Sequence, residues 1–430
     1  MADHARGEGA SSSSSNPRSI HTAQSPPLVE LTLVDVSADL AASSDIAPLL
    51  SKALDVGGGG CIHVSVRPSN NNSADCPEHH DIPDQVRERI SKSVTRFIKP
   101  EDRYLALGSL LLKSRAYHQT LADVNGEASC SAAGGISLPV VDLPRTEYRK
   151  PYIPIPESKK GQDRNNNHNH HHHHHLISVS HQFPYVGLSR LNLQSPYLLQ
   201  SSSTPLHVGL DIVTYQPPNP RLYSSTSEFL DVFRDSFTSS EWEHVVDQSA
   251  PAAAWFGRRH KSDEDSMREF YLRWAVKEAY TKALGVGMGL DFGSFDVRFD
   301  CCKNNSGGLV ESFDMAKERE DDRNTHRLAT LGKIVRCGGN DAATGHREEI
   351  WHFTFTELGG KKPSELDVCT STTSKQHRRE GCACVCVGPI TPLEVAERNA
   401  IIRPVDVRWM GLEDVLYWHK EDRKLTLTKQ

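Results

Sequence analysis

The stretch Trp274–Leu290, WAVKEAYTKALGVGMGL, decides how this chain is read. It has the pattern of a helix running into a glycine-rich turn, yet it carries Glu278 and Lys282 where a packed helix holds apolar residues. At ~100° per residue, Met267, Phe270, Tyr271 and Thr281 fall on the side of Trp274, and Glu278 lands among them. Leu272, Val276, Ala279 and Ala283 form a second apolar arc, which leaves Glu269, Arg273, Lys277 and Tyr280 to a wetter side. On spacing alone, Glu278 and Lys282 are an ordinary i,i+4 pair, a stabilisation of ~0.2–0.5 kcal/mol. A carboxylate on an aromatic flank asks for more, because taken out of water it must be paired or bind a metal. Gly285, Gly287 and Gly289 let the backbone turn tightly against something. They follow a helix and not a strand, so dinucleotide-binding and P-loop readings fail on context.

Outward from the helix, FTSSEW places Thr238 three residues before Glu241, a capping box that starts another helix. Before it, LHVGLDIVTY alternates as a strand, with Val208, Leu210 and Ile212 on one face and Asp211 on the other. After it, FGSFDVRF, EIWHFTFTEL and CACVCVGPI read as strands around a polar insertion at 303–347. Cys382, Cys384 and Cys386 in the last of these mark one face of a strand; no second Cys/His pair sits at zinc spacing. VDVRWMGLEDVLYWHK reads as a short strand and helix added at the end, within a tail at 402–430. In the first half, LVELTLVDVSADL is strand-like, helices follow on both sides of Pro100, EYRKPYIPI is extended by its prolines, and LISVSHQFPYVGLS alternates again.

This divides the chain into a Ser-rich disordered arm at 1–27, a half at 28–200 holding a low-complexity His/Asn insertion at 158–175, and a half at 201–401. Each half has a long helix and several strands, an α+β pattern. The net charge of -6 over 430 residues offers no basic footprint for nucleic acid and no polybasic attraction to membranes. No apolar run nears the ~20 residues that span a bilayer. Ten cysteines without disulfide-framework spacing, and no apolar leader, point to a reducing compartment, with the cytoplasm the expectation. A monomer is the expected state.

The pattern W-x-x-K-E-A-x-x-K-x-x-G-x-G-x-G, here WAVKEAYTKALGVGMG, resembles the signature of the 4'-phosphopantetheinyl transferase family. FTSSEW, VGLDIV, SVSH and RTEYRKPYI match its other motifs, in order, over roughly residues 90 to 300. The single-domain kind, similar to surfactin-type and aminoadipate-semialdehyde dehydrogenase enzymes, fits best. The resemblance implies a pseudo-twofold fold of two similar α+β halves with coenzyme A in the cleft between them. It implies Mg2+-dependent transfer of phosphopantetheine to a serine of an acyl, peptidyl or aminoadipate-reductase carrier, with release of adenosine 3',5'-bisphosphate. A non-catalytic protein of the same fold that binds carriers or coenzyme A is the alternative.

Carried over position by position, Asp211 and Glu278 hold the metal, Glu278 is the base, and Lys282 stabilises pyrophosphate charge. Arg145, Lys150, Ser180 and His181 bind coenzyme A, as does Arg96, with Arg89 close enough to compete for that place. Where many relatives have D-x-E, this chain has Asp211-Ile212-Val213, so two protein ligands to the metal are expected. Where they have G-K-P, Arg149 replaces the glycine, which predicts a changed local backbone. Phe237 and Trp242 are read as packing between the halves.

Overall fold

The computed structural model describes residues 28–55, 62–63, 84–125, 136–137, 140–154, 176–193, 206–246, 262–299, 309, 327–336, 348–359, 380–390 and 405–418. The arm at 1–27 and the histidine insertion lie outside them. In chain order, the first half holds β1 (Val29–Asp35), α1 (Ser37–Ala42), α2 (Ala47–Asp55), β2 (Ile62–His63), α3 (Asp84–Thr95) and α4 (Pro100–Asn125), then β3 (Ile136–Ser137), β4 (Val141–Asp142), β5 (Ile177–Gln182) and β6 (Tyr185–Leu191). The second half holds β7 (His207–Thr214), α5 (Thr226–Asp231), α6 (Ser239–Val246), α7 (Asp263–Leu284), β8 (Phe295–Phe299), β9 (Arg327–Arg336), β10 (Glu349–Leu358) and β11 (Gly381–Ile390). Then come β12 (Asp406–Met410), α8 (Leu412–Leu416) and β13 (Tyr417–Trp418). Helices and mostly antiparallel sheets occur together in each half, which is the α+β class.

Pro100 opens α4, a position where its missing N–H costs nothing. The helix is buried on nearly every side and lies on β5 and β6. A buried ion triad fastens it there: Arg190 of β6 reaches Glu30 of β1 at 2.8 Å and Asp123 of α4. In the second half, α7 lies on β7 and β11. Gly209 permits this approach, since a Cβ there would stand 1.8 Å from the Ala279 carbonyl oxygen. The small residues Ala279 and Ala283 meet it from the helix side.

The sheets have the orders β12-β1-β6-β5 and β7-β11-β10-β9-β8, so β5 and β7 are both edge strands. An open edge leaves backbone N–H groups without partners. Here side chains fill that place: Ser178 Oγ, Ser180 Oγ and Gln182 Oε1 accept from the N–H groups of Leu210, Ile212 and Thr214 at 3.0, 3.2 and 2.7 Å. The alternation of SVSH and GLDIV is therefore what joins the halves. Val208, Leu210 and Ile212, with Val385 and Val387, pack into the same core as Leu33 and Val186.

Three sequence expectations change. The polar insertion at 303–347 contains β9, a ten-residue strand between β8 and β10 whose apolar face holds Leu328 and Ile334. The terminal strand does not stand apart, because β12 pairs parallel with β1 and α8 packs on α4. Phe237 and Trp242 do not pack between the halves; they join Leu230, Val245, Met267 and Phe270 in a cluster of α5, α6 and α7. Cys382, Cys384 and Cys386 lie on one buried face of β11, as an alternating strand requires.

Candidate functional site

Helix α7 presents its charges differently from the pattern-based reading. Glu269, Arg273, Lys277 and Tyr280, read as the wetter side, are all buried. Glu269 receives Arg273 Nε at 2.8 Å and the Leu309 N–H at 3.0 Å. Lys277 is fully buried and pairs with Glu241 at 2.8 Å while donating to the carbonyls of Phe292 and Phe295 at 2.6 and 2.7 Å. Glu241 in turn caps α6 by accepting from the Thr238 N–H at 3.0 Å, and Thr238 Oγ1 accepts from the Glu241 N–H, the reciprocal box expected at this position. Glu241 also accepts from the Val297 N–H of β8.

Glu278 is half-buried. Its carboxylate forms no hydrogen bond or ion pair among the described residues. Burial raises its pKa, Asp211 adds to the rise, and Lys282 opposes it. Lys282 does not close the i,i+4 pair with it. Instead its ammonium reaches across the seam to Asp211 Oδ1 at 2.6 Å and Ser180 Oγ at 3.1 Å. Ser180 Oγ donates to the same Asp211 oxygen at 3.0 Å. Two carboxylates, an ammonium and a hydroxyl from β5, β7 and α7 thus meet where the edge strands join. Among the described residues no three His, Cys, Asp or Glu side chains converge as metal ligands.

His181, next to Ser180, is exposed; burial of its ring, Lys282 and Lys113 lower its pKa, and Asp102 opposes them. Arg145 is exposed on the turn that returns at Pro151. Lys150 is elsewhere than a phosphate contact requires. It is buried, its ammonium donating to the carbonyls of Val208, Lys282 and Ala283 at 3.2, 2.7 and 3.1 Å, so it caps the C-terminus of α7. Burial pushes it down to about 7. Lys150→Met strips those carbonyls of their donor and is expected to cost about 2 kcal/mol or more in urea unfolding, while the folded protein keeps its ligand affinity within a few-fold.

Arg149 keeps a glycine-like backbone, with φ 64. Its N–H donates to the Thr146 carbonyl at 2.9 Å, and the Thr146 N–H donates to the Lys150 carbonyl at 2.8 Å. The turn is preserved at the expense of a side chain in the left-handed region. Arg149→Gly is accordingly expected to raise the unfolding free energy by up to about 1 kcal/mol, read from the denaturant midpoint. At the helix end, Gly285 with φ 79 supplies the left-handed cap of α7, the tight turn expected of that glycine.

Arg96 is exposed with its guanidinium over the Phe97 ring, 4.8 Å from the centroid. Arg89 pairs instead with Asp142 of β4, on the side where Asp142 acts on Lys113. Lys113 of α4 is half-buried.

Comparison with known proteins bears on this site. Residues 207–331 match a family model described as the 4'-phosphopantetheinyl transferase superfamily. A phosphopantetheinyl transferase of Thraustochytrium sp. is 33% identical over 124 residues, 29% of this chain and 38% of the relative. The Homo sapiens L-aminoadipate-semialdehyde dehydrogenase-phosphopantetheinyl transferase is 29% identical over 109 residues, 25% of this chain and 30% of the relative. The 4'-phosphopantetheinyl transferase A of Aspergillus fumigatus is 27% identical over 219 residues, 45% of this chain and 55% of the relative. The matches thus span between about a third and about half of these relatives. Asp211, Glu278 and Lys282 lie inside the segment, residues 207–331, that matches the family model.

Proposed function

We propose that the protein transfers the phosphopantetheine arm of coenzyme A to a serine hydroxyl of an acyl, peptidyl or aminoadipate-reductase carrier, releasing adenosine 3',5'-bisphosphate. The observation that carries this reading is Glu278, a half-buried carboxylate with no partner among the described residues, beside Asp211 and Lys282 at the seam of the two sheets. A desolvated carboxylate left unpaired next to a second one is a costly arrangement that a hard cation relieves. Asp211 and Glu278 fit Mg2+ in that sense, with ligand oxygens and water to complete its shell. When bound, Mg2+ would neutralise charge on the diphosphate.

The chain's own groups supply the remainder. The serine oxygen attacks the diphosphate phosphorus on the pantetheine side, and the bond to the nucleotide's phosphate breaks. Glu278 takes the serine proton on its carboxylate, for which a pKa raised by burial suits it. Lys282, free to turn from Asp211 to the leaving phosphate, stabilises the charge that develops there. Arg145 and His181 hold the nucleotide's phosphate, since charge-assisted bonds to phosphate are the strong ones. The chain acts as a monomer in the cytoplasm, where coenzyme A and the apo carriers are its partners.

The test is chromatography of the nucleotide after incubation with coenzyme A, Mg2+ and each of the three carrier types in apo form. Adenosine 3',5'-bisphosphate appearing only when a carrier is present supports the reading. Coenzyme A that stays intact with every carrier, though the protein binds it, would establish the non-catalytic binding role instead. Among the described residues no helix is long and apolar enough to cross a membrane.

A further inference from the structure

A cavity of about 250 Å3 lies between α6, α7 and β8. Ser240 and His244 of α6, Arg273 of α7, and Asp296, Arg298 and Phe299 of β8 form its walls. Strand β8 is the edge of the second sheet opposite β7, four strand spacings, or roughly 19 Å, from the strand that carries Asp211. Around α7, Arg273 stands about 140° from Glu278. The cavity is therefore separate from the seam where Asp211, Glu278 and Lys282 meet.

Arg273 is only 3% exposed. Its Nε is spent on Glu269 at 2.8 Å, and its two terminal nitrogens have no hydrogen-bond partner among the described residues. Neither nitrogen is one of the polar atoms that the fold closes off without a partner, so the little surface Arg273 keeps lies at the cavity it lines. The acids on the walls are already engaged elsewhere. Asp296 accepts from Arg298 Nε at 2.7 Å and Ser240 Oγ at 3.1 Å, while Glu241 is held by Lys277 at 2.8 Å and the Val297 N–H at 3.1 Å. A guanidinium withdrawn from water with its fork unfilled is costly. A planar carboxylate fills that fork with two parallel bonds. Val297 and Phe299 add apolar wall beside it, and the volume falls below the ~300 Å3 at which drug-sized pockets begin, so the occupant is smaller than a nucleotide.

We propose that this cavity is a second binding site, which takes a small organic acid with its carboxylate on the terminal nitrogens of Arg273 and a compact apolar body along Val297 and Phe299. The inference does not depend on the transfer reaction, because none of these residues takes part in it.

Isothermal titration of the full chain with benzoate, benzamide and inorganic phosphate tests it. Saturable benzoate binding is expected, with benzamide, similar in shape but uncharged, bound about tenfold or more weakly. Phosphate, which has no apolar body, also binds more weakly than benzoate. Arg273→Lys keeps a cation for Glu269 but loses the fork, and is expected to weaken benzoate binding about tenfold or more. Ser240→Tyr, at an exposed position on the wall, fills the space and weakens benzoate likewise, which keeps the test readable should Arg273→Lys fail to fold. Lys282→Met, which removes the ammonium at the seam, leaves benzoate binding within about twofold. Absence of saturable benzoate binding, equal binding of benzamide, or tighter binding of phosphate overturns the inference. So does benzoate binding that Lys282→Met abolishes, or that neither wall variant weakens.

Discussion

Lys277→Met lowers the unfolding free energy by about 3–5 kcal/mol, the cost of leaving one partner of a buried ion pair behind. The partner is Glu241, and the same change removes the donor from the carbonyls of Phe292 and Phe295. Urea unfolding followed by tryptophan fluorescence reads the loss. Adding Glu241→Gln recovers part of it, because a neutral amide needs no counter-ion and its one carbonyl oxygen still accepts from the N–H of either Thr238 or Val297, though not from both. Lys282→Met, five residues on, costs far less stability, since Lys282 is partly exposed where it pairs with Asp211. The two lysines of the quoted motif therefore divide their work: Lys277 holds α6 and β8 onto α7, and Lys282 faces the site.

Glu278→Gln removes the carboxylate while keeping its shape, and is expected to lower phosphopantetheine transfer by about a thousandfold, within the span of a lost general base. The fold is not the reason. Burial raises the pKa of Glu278, so the folded state holds its proton longer than the unfolded chain does. Stability from this group is highest below the ordinary carboxylate range and falls as pH rises through the raised value. Metal-free Glu278→Gln is thus at least as stable as wild type at neutral pH, and its melting curve separates lost chemistry from lost structure. A variant that melts well below wild type would show that Glu278 is structural.

Much of the site was legible because its signals are local. The alternation of Val208, Leu210 and Ile212 put Asp211 on the opposite face of β7, and the spacing of Thr238 and Glu241 announced the cap of α6. The partners were not legible. Glu269, Arg273 and Lys277 have the residue types of a wet helix face, and only the fold brings Glu241 and the Leu309 N–H to them. Lys282 likewise has an acid one turn away in sequence but pairs with Asp211, which the seam delivers from β7. Lys150 lies in a motif associated with phosphate, yet its ammonium is consumed by three carbonyls. Strand β9 was hidden by the polar segments around it, and β12 by its distance in sequence from β1.

The most direct test of the central claim is the intact mass of an apo carrier protein after incubation with this protein, coenzyme A and Mg2+, with Glu278→Gln run beside the wild type. The account predicts that wild type adds one phosphopantetheine to the carrier's serine and that the variant, still binding coenzyme A, adds almost none. Equal modification by both proteins would contradict the role of Glu278, and no modification of any carrier by wild type would contradict the transfer itself.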